Sequence, residues 1–71
     1  MNWRKIHDQI INRAKNRLLE GYSERHHITP KCMGGTNDKE NLVHLTAKEH
    51  FIIHKILVEL YPNERGLVYA A

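Results

Sequence analysis

Five of the chain's six histidines fall between residues 24 and 55, in ERHHITPKCMGGTNDKENLVHLTAKEHFIIHK. His26 and His27 form a doublet, and His50 and His54 stand four apart. Imidazole is a common metal ligand, and when uncommitted it exchanges protons near neutrality, with an unperturbed pKa of about 6.5. On a helix, residues four apart share a face, a spacing that suits two ligands of one ion. Neighbours on a strand point to opposite faces, so the two members of the doublet cannot serve one ion alike. One completes a three-histidine site; the other stands beside it, able to take a proton from water. Three protein ligands leave a coordination position open, as a catalytic metal requires. The plainer reading of His50 and His54, two polar residues on a helix surface, leaves the doublet without a purpose.

The elements that must position these groups follow from periodicity and punctuation. Trp3, Ile6, Ile10, Ala14 and Leu18 recur at three- and four-residue steps, the apolar stripe of an amphipathic helix. With Gly21 as its C-terminal cap, this helix is expected over about residues 3 to 19. Residues 22 to 29 lack a helical stripe, and Pro30 biases Thr29 toward extended geometry, which predicts a short strand. NLVHL, residues 41 to 45, reads as its partner. The intervening PKCMGGTNDKE is too long for a tight hairpin, and loops of this kind are usually functional or disordered. Thr46 and Glu49 form a capping box, opening a helix near Ala47 that Pro62 ends. Within it Phe51 and Leu57 are expected in the core. His7 is expected on a helix surface, His44 on a strand face opposite Val43. The tail is expected to add a strand or turn against the first helix. The fold class is α+β, one domain over 1–71: a basic amphipathic helix in 1–21, a two-stranded hairpin with a long loop plus a helix in 22–61, and a tail in 62–71.

The run HHITP, then GG, then NL, then EHFIIH resembles the HNH endonucleases, whose ββα-metal core is two strands and a helix around one divalent ion. Asn41 lies fourteen positions after His27, His50 nine positions after Asn41, and His54 four positions further on. The resemblance implies that His27 is the general base and that Asn41, the middle letter of the motif, ties the long loop together and helps orient the base. It implies metal ligation by His26, His50 and His54, the last as in nuclease colicins, and products with a 5′-phosphate and a 3′-hydroxyl. Neutral imidazoles favour zinc, nickel or manganese, with magnesium, which prefers oxygen ligands, the weaker alternative.

Charge adds a partner. Residues 1 to 17 carry Arg4, Lys5, Arg13, Lys15 and Arg17 against Asp8, a balance of +4, whereas the rest is −1 from six basic and seven acidic residues. A basic helix on a near-neutral body fits either a solvated face or contact with a phosphate backbone, which the resemblance implies is that of double-stranded DNA, with Arg25 beside the doublet as a further phosphate contact. One active site cuts one strand, so double-strand cleavage would need two, as in a homodimer. Either the chain is the catalytic core of a longer protein or it cuts with little sequence preference. No apolar run nears the roughly 18 residues that span a bilayer. A lone cysteine fits a reducing compartment, and the expected setting is the cytoplasm of a bacterial host, with a phage origin by analogy. Cys32 carries the competing reading: with His50, His54 and one of the doublet it would close a structural zinc site in a non-catalytic DNA-binding module.

Overall fold

A computed structural model describes residues 1–67. Its first helix, α1 (Trp3–Lys15), starts where the Asn2 side chain accepts from the Lys5 backbone N–H at 3.0 Å, satisfying an amide that a helix start leaves bare. Its inward face is His7, Ile10, Ile11 and Ala14. His7 is therefore a core residue, only 3% exposed, and not the surface residue expected. The stripe drawn through Trp3 and Leu18 is rotated from the true contact face: Trp3 is partly exposed and Leu18 is 97% exposed.

Leu18 lies outside the helix altogether, because α1 stops at Lys15 and not near residue 19. Asn16 supplies the reason. Its side-chain amide donates to the Asn12 carbonyl at 2.8 Å, and its backbone N–H turns to the Arg13 carbonyl at 3.2 Å. A short polar side chain that bonds nearby backbone competes with helix continuation. Gly21, with φ of +80°, is a left-handed turn in the linker and not the helix cap.

Strands β1 (Glu24–His27) and β2 (Leu42–Leu45) pair antiparallel, with Glu24 opposite Leu45, Arg25 opposite His44, His26 opposite Val43 and His27 opposite Leu42. Both are shorter than the sequence runs that predict them. Alternation buries His26, Val43 and Leu45 and turns His44 outward, where Ser23 bonds it. The loop between them holds two 3-10 turns, Lys31–Met33 and Lys39–Asn41.

Helix α2 (Ala47–Leu60) opens on the expected capping box, with Thr46 and Glu49 bonding each other's backbone amides at 3.1 and 2.9 Å. It buries Ile53, Ile56 and Leu57 against α1 and β2. Leu45, Ile53 and Leu57 are essentially sealed from solvent, and each such side chain contributes roughly 1.5–3 kcal/mol. Phe51 departs from expectation: it is 50% exposed, because the inward face runs through 50, 53, 54 and 57, and residue 51 falls beside it. The Glu49 carboxylate also accepts from Arg17 and, at 3.1 Å, from Arg13, fastening the end of α1 to the start of α2. This pairing holds the Glu49 carboxyl down at about 2.

The tail contributes a 3-10 turn, Arg65–Leu67, that buries Leu67 and packs against α2, while Tyr61 just before it accepts from Arg4 of α1, the contact with the first helix that was expected. Any tail structure expected over 68–71 lies outside the described residues. No helix among the described residues is long and apolar enough to cross a membrane.

Candidate metal centre

β1 and α2 bring three imidazoles together. His26 points inward from β1, and His50 and His54 face it from successive turns of α2. Ring centroids stand 5.2 Å (His26–His50), 5.4 Å (His26–His54) and 4.6 Å (His50–His54) apart. One ring nitrogen from each lies within 4.8 Å of the other two. Tetrahedral ligation at about 2.0–2.1 Å separates ligand nitrogens by roughly 3.3 Å, so small side-chain adjustments suffice to bind one ion.

Three observations support a cation there. His26 is 3% exposed, yet its Nε2 is buried with no hydrogen-bond partner among the described residues, a cost that buried polar atoms normally avoid. Burial, then the charges of His50 and His54, push the His26 imidazole down to about 3, and burial and His50 also lower His54. Both rings are therefore neutral at neutral pH, the form that binds metal. Finally, His50 Nδ1 lies 2.8 Å from Glu24 Oε1. A carboxylate accepts only, so a neutral His50 ring carries its proton on Nδ1 and its lone pair on Nε2, which lies 3.0 Å from His54 Nε2. A carboxylate behind a ligating histidine is a recurring outer shell of metal sites. Bonds from Tyr22 and from His50 in turn lower the Glu24 carboxyl.

His27, next along β1, is outside this group. It lines the same open depression of about 320 Å³, with Arg25, Lys31 and Cys32 also on its wall. Its Nε2 meets Asn37 Oδ1 at 2.8 Å. Asn41 ties the loop. Its Oδ1 accepts from the Thr29 N–H at 2.7 Å, and its Nδ2 donates to the carbonyls of Thr29 at 3.0 Å and Thr36 at 2.8 Å. Gly34 closes the first 3-10 turn at φ +90°. Gly35 lies so close to the chain that a Cβ would stand 1.8 Å from the Thr29 oxygen. The paired glycines thus serve two needs, a left-handed turn and a close approach.

Cys32 is exposed and lines the same depression, but it is not among the three side chains whose ligand atoms lie within 4.8 Å of one another. It sits instead under the tail turn, where a Cβ on Gly66 would meet its Sγ at 2.9 Å. Of the basic residues singled out by charge, Arg13 and Arg17 are engaged by Glu49, and Arg4 by Tyr61 and Asp8. Lys5 and Arg25 are exposed and enter no ion pair among the described residues. Glu24 and Asn37 were not singled out from sequence. Glu24 is legible in hindsight, two residues before His26 and hence on its strand face. Asn37 carries no such signal.

No family model matches the chain, and no solved structure does. Similar proteins do exist. The chain is 59% identical over 63 residues to a protein named probable mobile endonuclease E of Enterobacteria phage T4, covering 87% of this chain and 45% of that one. It is 45% identical over 75 aligned positions to probable mobile endonuclease D of the same phage, covering 99% of this chain and 29% of that one. To probable mobile endonuclease B it is 48% identical over 66 residues, covering 86% and 25%. The chain thus spans less than half the length of these curated relatives.

Proposed function

We propose that this chain forms the ββα-metal catalytic module of an HNH-type, metal-dependent DNA endonuclease that nicks one strand, leaving a 5′-phosphate and a 3′-hydroxyl. The observation that carries the reading is the convergence of His26, His50 and His54, with His27 on the rim of the same depression. Similarity to phage proteins named mobile endonucleases supports the same activity from an independent direction.

In this reading His26, His50 and His54 hold one divalent ion, with zinc or nickel best suited to imidazole ligands and manganese bound more weakly. Such an ion supplies Lewis-acid stabilisation for charge developing on the scissile phosphate and the departing 3′ oxygen. The chain's own groups do the rest. His27 takes the proton from the attacking water. Glu24 holds His50 with its Nε2 turned inward. Asn41 keeps the loop closed over the end of β1. Arg25 and Lys5 are among the exposed cations available to the phosphate backbone of the double-stranded DNA, and such contacts make binding salt-dependent.

The test is cleavage of supercoiled plasmid across magnesium, manganese, nickel and zinc, with a chelator control. Nicking is expected with at least one ion and none in chelator. His27→Ala is expected to abolish nicking while metal binding, measured by calorimetry, stays intact. Cys32→Ala should be nearly silent in both. Absence of nicking with every ion, or loss of the metal on Cys32→Ala, overturns the reading.

A further inference from the structure

We propose that Asn37 is the positioning residue for His27, holding the ring in the tautomer and orientation that leave Nδ1 as the proton acceptor. This rests on His27 being the base, and it adds a residue that the HNH pattern of histidines and Asn41 does not contain.

A neutral imidazole carries one N–H and one lone pair. With Asn37 Oδ1 2.8 Å from His27 Nε2, the favourable arrangement puts the proton on Nε2, where the amide oxygen accepts it. The other tautomer would set two lone pairs against each other. A base that must accept from water therefore does so at Nδ1. When it takes that proton, the Nε2–H bond to Asn37 persists, and the ring need not turn.

Asn37 is exposed, and an exposed side chain holds another in place only if its own backbone is fixed. Both neighbours are pinned. The carbonyl of Thr36 accepts from Asn41 Nδ2 at 2.8 Å. On the other side, the Asp38 N–H donates to Thr36 Oγ1 at 3.3 Å, and the Asp38 carbonyl accepts from the Asn41 N–H at 2.8 Å. Asn41 itself bonds Thr29 and Thr36 and makes no hydrogen bond to the His27 ring among the described residues. The middle asparagine of the motif thus acts on the base at one remove: it fixes the loop, and the loop presents Asn37.

The experiment compares Asn37→Leu, a near-isostere without the acceptor, with Asn37→Asp, which restores an oxygen. Each is scored by kcat and KM for plasmid nicking, by manganese affinity and by the ¹⁵N resonances of the His27 ring. Orientation and proton transfer by a side chain are worth roughly 10²–10⁴-fold, so loss of orientation alone should lower kcat about tenfold or more in Asn37→Leu. KM and manganese affinity should change less than about twofold, and the ring nitrogens should move from an Nε2–H pattern toward mixed tautomers. Asn37→Asp should recover most of kcat and the Nε2–H pattern. An unchanged kcat and ¹⁵N pattern in Asn37→Leu overturns the proposal. So does a fall in manganese affinity equal to the fall in kcat, since that marks a structural role. The ring resonances report on the tautomer whether or not the protein cuts. A His27→Ala protein that still nicks sinks the base assignment itself, a different failure from either of these.

Discussion

The two sides of the histidine cluster are held by unlike means. His26, His50 and His54 stand on a strand and a helix whose backbones are fixed by regular hydrogen bonding and by Leu45, Ile53 and Leu57 beneath them. His27, one residue from His26, depends for its ring contact on an irregular loop fastened by Asn41 and shaped by Gly34 and Gly35. The difference teaches that, on the proposed reading, metal binding would belong to the folded core and proton transfer to the loop, so that mutation should separate the two.

The largest expected effect sharpens the metal side. An ion at 100 times its Kd adds about 2.7 kcal/mol to stability, and 1 kcal/mol moves the Tm of a domain this small by roughly 4–8 °C. Chelation, or His54→Ala compared at equal metal, should therefore lower Tm by about 10–20 °C in thermal melts followed by circular dichroism. A Tm indifferent to chelator would break the link between ion and fold. Next comes the loop. Asn41→Ala removes three side-chain hydrogen bonds at about 1 kcal/mol each, so urea unfolding should show a loss of roughly 2–3 kcal/mol. Nicking should fall much further than metal affinity. If affinity falls in step, the two sides are not separable after all.

Glu24→Ala probes the join between them. Loss of an outer-shell partner typically costs 10–100-fold in metal affinity, measurable by calorimetry, while the fold should survive because Glu24 is partly exposed. The smallest effect concerns Glu49. Its folded carboxyl sits at about 2, below its ordinary 4.5, so its contribution is present above pH 4.5 and is lost as pH falls toward 2. Glu49→Gln should flatten the stability profile in that window, and an unchanged slope would show that the Arg17 pairing adds nothing.

What could be read from sequence was local. The capping box at Thr46 and Glu49 and the four-residue step from His50 to His54 each lie within one helical turn, so spacing alone places them. Strand alternation shows that only one of His26 and His27 can face inward, but not which. That choice depends on the register with Val43, a contact made across the long loop. The burial of His7 was missed because a stripe anchored on Trp3 and Leu18 fits helical periodicity nearly as well as the true face. Only the packing of α2 decides between them. Asn37 was illegible because its task is set by where a glycine-shaped loop comes to rest.

Glu49 belongs at once to the first turn of α2 and to the clasp with Arg13 and Arg17. Peeling the amino-terminal helix away would therefore loosen the clasp that steadies the start of the histidine-bearing one. In native-state hydrogen exchange, the amides of both should open as a single cooperative unit, so that, on the proposed reading, readiness to bind an ion would be governed in part from the far end of the chain.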